Sequence, residues 1–126
     1  MLLNLTDLSD EPLQSQISRQ IRAKILAGEL SAGDSLPSIR ALAREQKVSV
    51  ITVQRAYEFL IREKLIHSRR GKGFFVSEVP HDEKKEMAKQ RLKEHLERPV
   101  LDAIAEGMKP QEINEVVNYI LTQKRK

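Results

Sequence analysis

Arg69-Arg70-Gly71-Lys72-Gly73, preceded by hydroxyl and basic residues at Ser38, Arg40, Ser49, Thr52 and Arg55, forms the set whose types and spacing could do chemistry. That chemistry is the holding of a polyanion. Residues 38–76 carry nine Lys and Arg against three acids, residues 1–37 are net negative, and residues 77–126 are balanced, so the overall +4 hides a strongly cationic middle. Each basic side chain brought near a phosphate releases condensed counterions, which makes a local surplus of this kind favourable for polyanion binding. A solvated basic surface would have the same composition, so the surrounding spacing has to decide between them. A nucleotide-phosphate loop is excluded, because Gly71-Lys72-Gly73 lacks the longer glycine spacing and the Ser or Thr that should follow the lysine.

The elements that would position these residues are readable around them. Pro37 disfavours helix for the residue before it and Ser38 can accept a hydrogen bond from a first-turn amide, which predicts a helix from Ser38 to Gln46 with Ile39, Leu42 and Ala43 inward. Lys47-Val48 is a minimal connection to Ser49, a second cap. The helix it opens turns Val53, Ala56, Tyr57, Leu60 and Ile61 inward and Gln54, Arg55, Glu58 and Arg62 outward. Two capped helices so close in sequence must cross steeply, presenting the amino end of the second. Lys64–His67 and Phe74–Ser77 read as strands around the glycine turn, with Gly71 and Gly73 expected to allow close approach to another backbone. Upstream, Leu13, Ile17, Ile21, Ile25 and Leu26 give a helix over Pro12–Ala27, with Ser9 or Asp10 as cap and Gly28 as stop. A short strand is expected near Leu30 or Ser35-Leu36. The fold class is mainly α with a small β component (α+β): a winged helix-turn-helix domain over residues 1–78.

Residues 79–126 have a different character. His81–Arg98 is dense in Lys and Glu, with Met87, Leu92 and Leu96 as a sparse apolar seam that Val100, Leu101, Ile104 and Ala105 continue to Gly107. Pro99 would clash with the carbonyl of His95, so a kink or a fresh helix is predicted there. Pro110 suits the first turn of a last helix with Ile113, Val116, Val117, Ile120 and Leu121 on one stripe. A helical hairpin this small has too few buried residues to stand alone and should pair with a second copy or dock on the first domain. Met87, Leu92, Leu96, Val100, Ile104, Ile113, Val116, Val117 and Ile120 are the expected dimer face. Lys84-Lys85 and Lys124-Arg125-Lys126 read as solvated ends.

Several function classes drop out. Without Cys there is no disulfide, thiol nucleophile or Cys-ligated zinc. His67, His81 and His95 have no histidine partner at helical spacing, so no metal site is expected. No Ser, His and Asp grouping points to catalysis, and no cofactor is implied. No apolar run approaches the roughly 20 residues needed to cross a bilayer, and the first residues do not form a signal peptide, which implies no membrane partner and a cytoplasmic location. Tyr57 and Tyr119 are expected to fill apolar contacts, and an exposed aromatic platform for single-stranded RNA is missing.

Taken in order, these blocks resemble the amino-terminal DNA-binding domain of the GntR family of bacterial transcription regulators. The resemblance covers roughly residues 10–77: Pro12-Leu13-Gln14-Ser15-Gln16-Ile17, Ile21-Arg22, Ile25 to Leu30, Gly33-Asp34, Leu36 to Ala43, Val48-Ser49, Thr52-Val53, Arg55-Ala56-Tyr57 and Gly71 to Val76. The short remainder resembles the YtrA-like subfamily, whose two-helix tail is associated with dimerisation. The resemblance implies a homodimer, most simply a repressor, on an inverted-repeat operator of double-stranded DNA. The helix beginning at Ser49 would enter the major groove and the wing would reach the minor groove or its phosphates. Matching by position, Arg40 and Thr52 are DNA contacts and Gly71 and Lys72 form the wing tip, with Ser38, Ser49, Gln54, Arg55, Arg70 and Gly73 completing the DNA-binding set. A transporter operon as target also follows from resemblance alone. A small-molecule effector is left open; its only obvious place would be the seam between the tail helices and the winged domain.

Two departures from the family pattern stand out. Val50 and Ile51 occupy the exposed amino end where a basic residue is common, and they are expected to contact thymine methyls, leaving polar reading to Gln54 and Arg40. Lys64 stands where glycine is usual, so the recognition helix has to close without the easy left-handed residue. A winged-helix protein-interaction adaptor with no specific DNA target is the competing reading; the cationic middle and the glycine wing speak against it.

Overall fold

Ile17, Ile21 and Ile25 recur every fourth residue and are fully buried, which fixes Leu13–Leu26 as helix α1 in a computed structural model that describes residues 1–124. The elements that follow are strand β1 (Ser35–Leu36), helices α2 (Ile39–Gln46) and α3 (Val50–Arg62), strands β2 (Ile66–Arg69) and β3 (Gly73–Val76), and helices α4 (His81–Ala105) and α5 (Pro110–Lys124). The expected cap of α1 is corrected: neither Ser9 nor Asp10 caps it. Pro12 occupies that position with no side-chain bond, because the Ser9 hydroxyl is engaged one turn earlier by the amide of Glu11 (3.0 Å).

The lead-in to α1 is fastened by glutamines. Gln16, almost wholly buried, accepts from the Thr6 amide (3.0 Å) and donates to the carbonyls of Thr6 (2.9 Å) and Glu11 (2.8 Å). Gln20 makes the same two-way exchange with Asn4, at 2.8 and 2.7 Å. Residues four apart on a helix lie about 6 Å apart and residues two apart on an extended chain about 6.6 Å, so the two amides match the backbone repeat as a neighbouring strand would. Leu3 is thereby held in the core.

That core is assembled from Ile17, Ile21 and Ile25 of α1, Leu42 and Ala43 of α2, and Val53, Ala56, Tyr57 and Leu60 of α3, closed by Leu36, Leu65, Ile66 and Val76. Helix α3 packs on both α1 and α2. Ile61, expected inward, is exposed, and the buried stripe of α3 is made by Val53, Ala56, Tyr57 and Leu60. Ile39 is only half-buried. The sheet has the order β1-β3-β2, antiparallel throughout, with Leu36 opposite Phe74 and His67 opposite Phe75. Arg22 is buried and pairs with Glu63 at 2.7 Å, joining α1 to the carboxyl end of α3.

Three helices end alike. After α2, Val48 N–H donates to the Ala43 carbonyl; after α3, Leu65 N–H to Leu60; after α4, Met108 N–H to Ala103. Each motif turns on a left-handed residue, Gly107 in the last case but Lys47 (φ 58°) and Lys64 (φ 63°) in the others. Helix α3 thus closes without glycine, as expected, and does so by placing Lys64 itself in the left-handed conformation.

The chain divides into two compact units, Met1–Lys84 and a second beginning at Lys85. In the second, α4 runs without interruption through Pro99, so the expected fresh helix does not form. Pro99 forfeits one backbone bond, and the surrounding turns are exposed, leaving the freed carbonyl accessible to water. No residue of α4 is buried, and α4 and α5 do not pack along each other, so the expected hairpin is two helices without a shared core. Tyr119 is exposed rather than packed. Among the described residues no helix is long and apolar enough to cross a membrane. Arg125 and Lys126, read above as part of a solvated end, lie outside the described residues.

A left-handed non-glycine residue costs about 1 kcal/mol relative to glycine, so Lys64→Gly should stabilise the domain by about that amount, seen as a higher urea midpoint with unchanged slope.

Candidate nucleic-acid interface

Helices α2 and α3 both begin on serine caps. Ser38 Oγ accepts from the Ala41 amide and Ser49 Oγ from the Thr52 amide, each at 3.1 Å. These caps set where each helix starts and hence which side chains occupy its exposed first turn. In α2 that is Arg40; in α3 it is Val50 and Ile51, followed by Gln54 and Arg55 a turn later, all exposed.

Ser49 Oγ also lies 2.8 Å from Thr52 Oγ1. Two hydroxyls have two hydrogens, and one suffices for the bond between them. Whichever oxygen donates internally, the pair retains one outward O–H, suited to a phosphate oxygen. Gln54 donates to Glu58 at 3.2 Å, which occupies one of its amide hydrogens and leaves the other and the carbonyl oxygen open.

The wing turn is closed by Lys72 N–H donating to the Arg69 carbonyl at 2.9 Å, with Gly71 left-handed (φ 73°) at its third position. A Cβ added at Gly71 or Gly73 would meet nothing within 4 Å. The expected close approach to another backbone is therefore not made within the chain, and the turn's conformation is what calls for glycine at position 71. On one face of the wing, His67 stacks on Phe75 (6.1 Å) and the Arg69 guanidinium lies over the same ring at 5.4 Å. The sequence reading missed this stack, although the cross-strand pairing of His67 with Phe75 follows once the turn register is known.

The electrostatics are one-sided. Among the described residues none of the nine basic side chains of residues 38–76 makes an ion pair. Of the three acids in that stretch, Glu45 is paired with the Met1 amino group (3.1 Å) and Glu63 with Arg22, both partners lying outside it. Glu58 is left to hold Gln54. Arg40, Arg55, Arg70 and Lys72 are consequently exposed and uncompensated.

Tyr57 connects the three elements that carry these residues. From the buried face of α3 its hydroxyl donates to the Pro37 carbonyl at 2.7 Å, just before α2, and its ring meets Phe74 of β3 edge-on at 4.9 Å. Burial, with a smaller contribution from the negative charge of Glu45, pushes the phenol well above its ordinary pKa, so it remains a neutral donor.

Comparison with known proteins matches residues 13–76 to the model of the family described as bacterial regulatory proteins, gntR family. The HTH-type transcriptional repressor YtrA of Bacillus subtilis (strain 168) is 31% identical over 119 residues, covering 94% of this chain and 92% of its own length. Among solved structures, a GntR family transcriptional regulator from Listeria monocytogenes superposes with a TM-score of 0.75 at 28% identity, covering 91% of this chain and 98% of the other. AraR(DBD), crystallised in complex with an operator, superposes with a TM-score of 0.52 at 27% identity, covering 60% of this chain and 93% of its own.

Tyr57→Phe removes the hydroxyl that donates to the Pro37 carbonyl while keeping the ring. A part-buried carbonyl left unsatisfied costs about 1–3 kcal/mol, so the variant should unfold at lower denaturant by that amount while its circular dichroism spectrum stays unchanged.

Proposed function

This chain belongs to the GntR family of bacterial regulatory proteins, which are DNA-binding transcription regulators, and from that premise we propose that it is a repressor acting as a homodimer on an inverted-repeat operator. The observation that carries the DNA-binding face is the uncompensated cationic stretch, in which nine basic side chains make no ion pair among the described residues while two of the three local acids are neutralised from outside. In this reading α3 enters the major groove, with Ser49, Val50, Ile51, Thr52, Gln54 and Arg55 at its leading end. Ser38 and Arg40 approach from α2. Arg70, Gly71, Lys72 and Gly73 bring the wing to the minor groove or its phosphates. Support for operator DNA as the ligand comes from AraR(DBD), which was solved in complex with an operator.

Dimerisation is assigned to the unit beginning at Lys85. Leu92, Leu96, Ile104, Val116 and Ile120 are exposed there, and Met87, Val100, Ile113 and Val117 are only half-covered. Two helices with no buried residue among those described and no mutual packing gain stability from an apolar partner, and a second copy supplies the same stripes in matched register. Repression, rather than activation, follows YtrA, which is named a repressor. Control of a transporter operon is the further expectation carried by the YtrA-like tail.

Mobility shift on the promoter region upstream of its own gene, combined with sedimentation, tests the whole reading. Arg40→Ala should weaken the specific complex by about 1–3 kcal/mol, whereas Lys72→Ala should lower affinity for all sequences and flatten the salt dependence by about one unit of slope. Unchanged affinity in both variants at matched salt overturns the proposed face, and absence of a competitor-resistant complex favours an adaptor. Ile120→Asp should convert a sedimenting dimer to monomer and lose the specific complex with it.

A further inference from the structure

Two aliphatic side chains stand where the chain is otherwise built to meet phosphates and base edges. Val50 is 41% exposed and Ile51 53% exposed on the first turn of α3, within the stretch whose basic side chains make no ion pair among the described residues. Neither is needed by the core, whose share of α3 is filled by Val53, Ala56, Tyr57 and Leu60. Neither can donate or accept a hydrogen bond. On a surface that folds against duplex DNA they can gain only by contact with something apolar, and the major-groove edge of DNA presents one such group, the 5-methyl of thymine or of a methylated cytosine.

Resting on the DNA-binding reading above, we propose that Val50 and Ile51 make the 5-methyl groups of pyrimidines the recognised element, so that thymine is distinguished from uracil at the same hydrogen-bonding edge. The neighbours on α3 fit this. Val50 and Gln54 are four apart, as are Ile51 and Arg55, so each aliphatic residue shares a helical row with one polar reader. Gln54, with one amide hydrogen held by Glu58, still offers its carbonyl oxygen and its second hydrogen, the pair that matches adenine N6 and N7. The base opposite that adenine is thymine, whose methyl lies in the same groove. A row that reads adenine through its amide and the adjoining pyrimidine through a methyl favours an A·T-containing half-site centre with no further donor.

The test uses the full chain and a duplex recovered by selection from random-sequence DNA. Thymines of the recovered site are replaced singly by deoxyuridine, which removes the methyl and keeps the pairing edge. Replacement at one or two positions per half-site should weaken binding about fourfold each, the factor that corresponds to taking one methyl group out of apolar contact. Cytosine-to-5-methylcytosine replacement in a duplex carrying C at those positions should strengthen binding by a similar factor. Ile51→Ala and Val50→Ala, both at exposed positions, should each reduce the thymine-to-uracil binding ratio toward one at one position of the half-site. Equal binding of thymine and deoxyuridine duplexes at every position overturns the inference while leaving specific DNA binding intact. Discrimination that persists undiminished in both alanine variants also overturns it. Failure to recover any sequence by selection overturns the DNA-binding reading itself.

Discussion

Tyr57 is the interaction on which the arrangement of this domain depends. A single buried side chain on α3 bonds the backbone that precedes α2 and packs edge-on against β3. The positions of the capped helix starts and of the wing are thereby referred to one point rather than to three separate contacts. Because desolvation raises the phenol's pKa, the hydroxyl stays protonated and remains a donor. The same ring is buried on the face of α3 that also carries Ala56 and Leu60, so polar bond and apolar packing are installed by one residue.

Charge is organised with similar economy. Arg22 is buried and Glu63 is its partner, which fixes α1 against the end of α3 and at the same time removes an acid from the cationic stretch. Met1 does the corresponding service for Glu45 on α2. Both pairs have a structural reason to exist, yet their combined effect is to leave Arg40, Arg55, Arg70 and Lys72 without internal competitors. A desolvated ion pair gains only if its geometry is good, and the Arg22 guanidinium presents two nitrogens to one carboxylate oxygen at 2.7 and 3.1 Å.

What could be read from the sequence was what is local. Ser38 and Ser49 cap because a serine before an apolar helical period has little else to do, and the wing follows from two runs of strand formers around a glycine turn. What could not be read depends on distant partners. The Gln16 and Gln20 exchanges with Thr6 and Asn4 carry no signal in a hydropathy pattern, since a buried glutamine and an exposed one look alike until the chain beside it is placed. Ile61 belongs to an apolar period but loses the competition for the interior to Leu60 and Tyr57. Lys64 shows that a motif can keep its geometry with an unfavourable residue, because the Leu65 and Leu60 backbone bond and the burial of Leu65 over-determine the turn. The tail is the inverse case: its apolar stripes were evident, but whether they meet inside one chain is settled only by the fold, and they do not.

The paired hydroxyls of Ser49 and Thr52 have a consequence for tolerance. Their spare hydrogen is not the property of either oxygen: rotating both O–H bonds transfers the outward donor across 2.8 Å without moving a heavy atom. A fixed amide donor demands that its acceptor come to one point, whereas this one can follow an acceptor between two. Small differences in groove width or backbone position from one binding site to the next can then be absorbed by two bond rotations, with the helix above them left undisturbed.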